Sequence, residues 1–266
     1  MSIVDRPAVL VTGGARRIGA AIAAAFGAAG WHVLIHYGTS RSEAEALAAR
    51  IESAEVIGCD LSDIASATAM IADLAEQLSD WRVLVNCASV FELDEVTGLQ
   101  RAVFEHAMQV NAATPAAMAQ AFLRHARAQG GRRAISVTDQ KIANPNPDFF
   151  SYTMSKHALS STVPMLSIAR TDPRDRIYGL APGAILASHD QVEAEIECSH
   201  RMNLLKRKTG ADEIAQAALF LAEGWLASGE TLFIDSGQHL LAQPRDVLFL
   251  AREMGSGNAA SGASAA

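Results

Sequence analysis

Tyr152 and Lys156 stand four residues apart in a stretch that reads as a helix from Ser151 onward. At that spacing two side chains share one helix face, about one turn apart. An ammonium beside a phenol favours the phenolate. The expectation is therefore a tyrosine whose pKa falls from about 10 toward the working range of a general acid. Asp139 precedes Tyr152 by thirteen residues, across a loop rich in Pro and Asn. A loop of that length returns the carboxyl to the same pocket. With 3 Tyr in the chain, the pairing is uncommon by chance. An incidental pair on a surface helix would nevertheless read the same way, so the surrounding elements must decide.

Those elements alternate. Ala8 to Thr12 is a short apolar run that suits a buried parallel strand. Gly13-Gly14-Ala15-Arg16-Arg17-Ile18-Gly19 follows, then an Ala-rich helix from Ala20 to Ala29 stopped by Gly30. Strand, Gly-rich turn and helix in that order open a dinucleotide-binding fold. The glycines let backbone approach a pyrophosphate, and the helix N-terminus supplies donors and a positive dipole. His32 to His36 is a second strand. An NAD-specific fold places an Asp or Glu near its end for the ribose hydroxyls. Here no acid occurs between Gly19 and Ser42, and the strand runs into Tyr37-Gly38-Thr39-Ser40-Arg41. Hydroxyls and a guanidinium suit a 2′-phosphate, which favours NADP over an ordinary polar loop.

The pattern continues to the C-terminus. Strands are expected at Val56 to Asp60, Val83 to Asn86, before Asp139, at Ile177 to Leu180 and at Thr231 to Ile234. Helices are expected at Ser42 to Ser53, Asp63 to Leu78, Tyr152 to Arg170 with Pro164 as a kink, and Ala211 to Ala222. Gln100 to Arg127 reads as one or two helices, with Pro115 as a break or first-turn residue. The fold class is α/β, a Rossmann-type doubly wound parallel sheet of about seven strands with helices on both faces. No linker divides the chain. Residues 1–250 read as one domain and 251–266 as a Gly/Ser/Ala-rich disordered tail. The acidic run from His189 to Glu197 reads as a mobile lid or a solvated helix face.

Composition excludes several classes. A chain of 266 residues with 50% hydrophobic content supports a packed core. A net charge of −7 argues against nucleic acid, because phosphate neutralisation needs a basic face. Cys59, Cys87 and Cys198 form no disulfide framework, which fits a reducing cytoplasm. No apolar run reaches the length of a membrane span, and the His residues show no ligand spacing, so neither a membrane nor a metal is expected.

Together these residues resemble the short-chain dehydrogenase/reductase family, up to about Leu241. The resemblance is carried by the Thr12-Gly13 loop, Asp60, Asn86-Cys87-Ala88, Asn111, Tyr152 with Lys156, Pro182-Gly183 and Asp235-Ser236-Gly237. The family's second Asn after the fourth strand is Cys87 here. Cys87 reads as a small buried side chain or as a redox-sensitive thiol. Two further departures point within the family. Arg17 stands where most members have a glycine, and Asp139 where most have a serine. Both are similar to pteridine reductases and dihydromonapterin reductases, as are His36-Tyr37-Gly38-Thr39-Ser40 and Ala88-Ser89-Val90-Phe91.

What the resemblance implies is an NADPH-dependent reductase of a pterin, a dihydropterin, dihydromonapterin or dihydrofolate. Asp139, Tyr152, Lys156 and Asn111 would be catalytic. Asp139 and Tyr152 would donate protons, Lys156 would hold the ribose and tune Tyr152, and Asn111 would anchor a relay water. Gly13, Arg16, Arg17, Ile18, His36, Tyr37, Ser40, Arg41, Asp60, Leu61, Asn86, Ala88, Ser89, Lys156, Pro182, Gly183 and Ile185 would bind NADPH. Arg17, Ser89, Phe91, Asp139 and Tyr152 would bind substrate, with Phe91 stacking the pterin ring. Two alternatives stay open: a general carbonyl reductase or alcohol dehydrogenase, and a non-catalytic NADP-binding sensor. Ala-rich helices around Asn111 and Tyr152 suit close contacts between copies, and a homotetramer is expected.

Overall fold

The computed structural model describes residues 6–185 and 191–254. Seven parallel strands form one sheet in the order β3-β2-β1-β4-β5-β6-β7. They are β1 Ala8–Val11, β2 His32–Tyr37, β3 Ala54–Gly58, β4 Trp81–Asn86, β5 Arg133–Val137, β6 Arg176–Pro182 and β7 Thr231–Ile234. The helices are α1 Arg17–Ala28, α2 Arg41–Ala48, α3 Ile64–Gln77, α4 Arg101–Met108, α5 Thr114–His125, α6 Phe150–Ala169, α7 Glu193–Ser199 and α8 Ala211–Glu223. Residues 247–254 are also helical and straddle the boundary expected at 250. The remainder of the expected tail, and His189 and Asp190 of the acidic run, lie outside the described residues. Glu193 to Glu197 of that run lie within α7.

The strands carry continuous apolar runs because both faces are covered. Side chains alternate across the sheet with period two. Val9 and Val11 point to the layer that also holds Ile22, Phe26, Ile214 and Leu221 of α1 and α8. Ala8 and Leu10 point to the layer that holds Ile71, Met118, Phe122 and Val163 of α3, α5 and α6. The single change of direction in the sheet falls between β1 and β4, where loops leaving the two C-terminal ends splay apart and open a crevice. Thr12 stitches the crevice floor: its Oγ1 accepts from the N–H of Cys87 at 2.9 Å and of Ala88 at 3.1 Å.

Two helix junctions position chemistry. Asp94, buried in the segment after β4, accepts from the Ser151 N–H at 3.0 Å and from the Ser151 hydroxyl. This caps α6 from across the chain, just before Tyr152, and the helix begins at Phe150, one residue before Ser151. Between α4 and α5 the chain widens into a π turn, Gln109–Ala113, which contains Asn111. Such single turns occur frequently at functional sites. Pro115 falls in the first turn of α5, directly after the π turn.

Candidate active site

A cleft of about 550 Å³ lies at the C-terminal ends of β1, β4, β5 and β6. β5 ends at Val137, and a 3-10 turn, Gln140–Ile142, follows with Asp139 as its N-cap. One face of α6 presents Tyr152 and Lys156 to the same floor. The Tyr152 hydroxyl donates to Asp139 Oδ2 at 2.7 Å. Asp139 Oδ1 accepts from the Lys141 N–H at 2.9 Å. Lys156 is only 3% exposed, and its Nζ donates to the Val137 carbonyl at 2.9 Å.

The electrostatics differ from the expectation for Tyr152. Its pKa lies well above the usual tyrosine range, first because the phenol is buried and then because the Asp139 carboxylate faces it. The Lys156 ammonium sits 5.6 Å from the ring centre and is tied to a carbonyl, so it does not offset those effects. Burial draws the Lys156 pKa down. Burial pushes the Asp139 carboxyl up, against the pull of Lys141, its hydrogen bonds and Lys156. Cys87 is pushed up to about 11, again by burial. A thiol held that far from ionisation is a poor redox nucleophile, which favours the small-side-chain reading of Cys87.

The phosphate end is built by close backbone approach. A Cβ on Gly19 would meet the Gly13 carbonyl oxygen at 2.2 Å, and one on Gly13 would come within 2.9 Å of Ala88 Cα. Only glycines allow this turn. It leaves the N-terminus of α1 open: no side chain caps it and no acid stands in its first turn. Free N–H groups with a positive dipole are the donor set a pyrophosphate needs, so the residues present fit a dinucleotide. Arg17 enters α1 at φ 54°, the left-handed region that favours glycine. Its exposed side chain has no ion-pair partner among the described residues. Arg16 pairs with Glu43 at 3.1 Å and Arg41 with Glu45 at 2.8 Å, both exposed at the start of α2.

Gly13, Arg16, Arg17, Ile18, Ala88, Ser89, Phe91, Asp139, Tyr152, Lys156, Pro182, Gly183 and Ile185 all line the cleft. His36, Tyr37, Ser40, Arg41, Asp60, Leu61, Asn86 and Asn111 stand outside that lining. His36 is buried; its Nδ1 accepts from the Gly13 N–H at 3.1 Å, so its Nε2 donates to the Cys59 carbonyl at 3.0 Å. It shapes the glycine turn from behind. The Tyr37 ring packs over Gly58, and Asn86 Nδ2 donates to the Pro115 carbonyl at 3.1 Å. Asn111 clamps three elements: it holds both the N–H and the carbonyl of Val90, at 2.8 and 2.9 Å, and donates to Ser155 Oγ at 3.0 Å. The Ser89 hydroxyl donates to Asn111 Oδ1 at 3.1 Å. Phe91 stacks on Phe149 at 4.1 Å and meets Tyr152 edge-on at 4.6 Å, so one of its faces is already covered.

The sequence reading missed the other side of the cleft. Lys141, His200, Gln238, Asp246, Val247 and Leu248 line it as well. The signal available was faint: a charged pair, Arg245-Asp246, opening the apolar run Val247 to Leu250.

The chain is similar to known reductases over most of its length. A family model described as Enoyl-(Acyl carrier protein) reductase matches residues 13–239. Versicolorin reductase stcU of Emericella nidulans is 27% identical over 258 residues, covering 88% of this chain and 96% of that protein. Pteridine reductase 1 of Leishmania tarentolae is 26% identical over 279 residues, with coverage of 88% and 96%. Among solved structures, the FolM alternative dihydrofolate reductase 1 of Brucella canis, complexed with NADP, superposes with a TM-score of 0.84. It shares 32% identity and covers 92% of this chain and 98% of its own.

Proposed function

The chain belongs to the short-chain dehydrogenase/reductase family, whose reductases use a nicotinamide cofactor, and from that premise we propose that it reduces a pterin. The cofactor is NADPH, as in the NADP-bound Brucella structures, and it supplies the hydride. The observation that carries the substrate reading is the half-buried Asp139 carboxyl on the cleft floor, hydrogen-bonded to the Tyr152 hydroxyl.

Reduction of a C=N bond adds hydride at carbon and a proton at nitrogen. Asp139 and Tyr152 form one donor unit beside the reacting face. A carboxyl accepts from the donor-rich edge of a pterin when ionised and gives a proton when neutral; a serine hydroxyl can do neither as well. Lys156 places its Nζ beneath the cofactor side of the cleft. Arg17 places a guanidinium at its mouth, where phosphate oxygens and pterin carbonyls are both within its chemistry. Phe91, braced by Phe149, supplies an apolar wall for a flat ring.

Versicolorin reductase and an angucycline ketoreductase stand among the relatives, so simple carbonyl reduction is the competing outcome. NADPH oxidation assayed with a panel of dihydropterins, dihydrofolate and an aromatic ketone decides. The reading expects turnover of at least one dihydropterin at a kcat/KM about tenfold or more above the ketone, the effect of one charge-assisted contact. Turnover of the ketone alone overturns it.

A further inference from the structure

Lys141 is a buried ammonium that the reaction above does not use. It stands two residues after Asp139 with 3% of its surface exposed. Its Nζ pairs with Asp246 Oδ2 at 2.6 Å and donates to the Asp148 carbonyl at 3.4 Å. The ammonium also lies 5.1 Å from the centre of the Phe149 ring. Asp246 opens the C-terminal segment that walls the cleft with Val247 and Leu248. That segment is fastened a second time at Asp148: the carboxylate accepts from Arg245 Nε at 3.0 and 2.8 Å and from the Asp246 N–H at 2.7 Å. One ion pair thus joins the turn that presents Asp139 to the last wall of the site.

A buried charge needs a partner, and a pair serving only to hold the segment down could be replaced by apolar side chains of similar volume. The placement of this pair argues for more. Its cation follows Asp139 in the same turn and holds Asp139 Oδ1 through its own N–H. The Lys141 ammonium also draws the Asp139 carboxyl toward ionisation more strongly than Lys156 does. After burial and Asp139, the Asp246 carboxylate also helps to keep the Tyr152 phenol protonated. Lys141 from its own turn and Tyr152 and Lys156 from α6 act on Asp139 directly; Asp246 from the C-terminal segment, Cys87 from the loop after β4, Arg17 and His200 line the same cleft.

We propose that Lys141 and Asp246 are positioning residues for the Asp139–Tyr152 pair: their ion pair fixes the carboxyl on the cleft floor and sets the pH range over which it carries its proton. The inference rests on the reading of Asp139 as a proton donor. The two charges act with opposite sign, so removing each must move the pH profile in opposite directions.

The test is the pH dependence of kcat, with NADPH and whichever substrate of the panel turns over. Asp246→Asn leaves the Lys141 ammonium uncompensated, which favours ionised Asp139. The alkaline limb is expected to move to lower pH by about half a unit or more. Lys141→Met removes the cation, and the limb moves to higher pH by a similar amount. Lys141→Arg keeps the charge and restores the wild-type profile. Shifts in the same direction, or an unmoved limb with a lowered Tm, overturn the inference and leave a structural pair. If Lys141→Met does not fold, Asp246→Asn decides alone. The control is Asp139→Asn. If it retains the wild-type alkaline limb, the donor reading itself fails; if it loses that limb and the Asp246→Asn limb is unmoved, only the positioning inference fails.

Discussion

The Tyr152 hydroxyl reaches Asp139 Oδ2 at 2.7 Å, so the two groups titrate as a unit rather than singly. Burial raises Asp139, which makes its neutral form the more available donor. Activity on a dihydropterin should therefore fall as pH rises through that raised value. Asp139→Asn keeps the shape and a hydrogen-bond donor but cannot transfer a proton. It should lower kcat by roughly 10²-fold, the scale of general acid catalysis. Tyr152→Phe should impair pterin and ketone alike. Wild-type rates in Asp139→Asn at every pH would show that the carboxyl only shapes the site.

Cofactor choice turns on the arginines near α2. Arg16 and Arg41 are held by Glu43 and Glu45, but both pairs are exposed and screened by solvent, so they hold weakly. A phosphate with nearly two charges displaces them. NADPH should be preferred to NADH by about tenfold or more in kcat/KM. Arg41→Ala should reduce that ratio, and Glu43→Gln should raise NADPH affinity by freeing Arg16. Equal kcat/KM for the two cofactors refutes the assignment.

Acid sensitivity follows from two buried histidines. Burial lowers the pKa of both His36 and His32 from the ordinary 6.5. In the unfolded chain they protonate near 6.5, while in the folded chain they resist it. The unfolded state then binds more protons, so stability falls as pH drops below 6.5 toward the lowered folded values. His36→Phe should remove part of this slope. It also strands the half-buried Gly13 N–H, a loss of about 1 kcal/mol, and should weaken NADPH binding through the distorted turn. Thermal melts of wild type and variant between pH 5 and pH 8 read both effects.

Much of this architecture was legible in local pattern. Each strand is an apolar run between turn residues, and Thr231–Ile234 was placed residue for residue because nothing outside it competes. The start of α6 was legible to within a residue, but its cap was not, because Asp94 comes from a distant segment. The π turn was hidden for the same reason: Asn111 is clamped by Val90 and Ser155, which no window around it contains. The lowered tyrosine pKa was expected from spacing on one helix. It gave way because burial and Asp139 outweigh an ammonium that a carbonyl holds 5.6 Å from the ring centre. Lys141 and Asp246 carry no motif at all; only the fold brings them together.

Assembly is expected through α5 and α6. Met165 is 65% and Ile168 85% exposed on α6, large apolar side chains that a second copy would cover. Light scattering at micromolar concentration should give four times the 28.1 kDa of one chain. Ile168→Glu should shift that mass downward with little change in secondary structure. A wild-type monomer would contradict the proposal.

Arg17 offers the sharpest test of a residue kept against its own backbone. At φ 54° it occupies a conformation that a residue with a Cβ adopts at a cost of about 1–2 kcal/mol, and that glycine adopts freely. Its side chain is exposed and has no ion-pair partner among the described residues, so packing does not repay that strain. A guanidinium at the mouth of the cleft does so only when a ligand is bound. Arg17→Gly should therefore leave Tm unchanged or raise it slightly, since relief of strain is partly offset by a freer unfolded chain. The same change should reduce kcat/KM for the dihydropterin by roughly tenfold, the loss of one charge-assisted contact. NADPH affinity separates the two places that contact could be made. A fall in pterin turnover at constant NADPH affinity puts the guanidinium on the substrate, whereas parallel losses put it on the cofactor phosphates. A Tm several degrees lower with normal turnover would mean that Arg17 serves the fold and not the site.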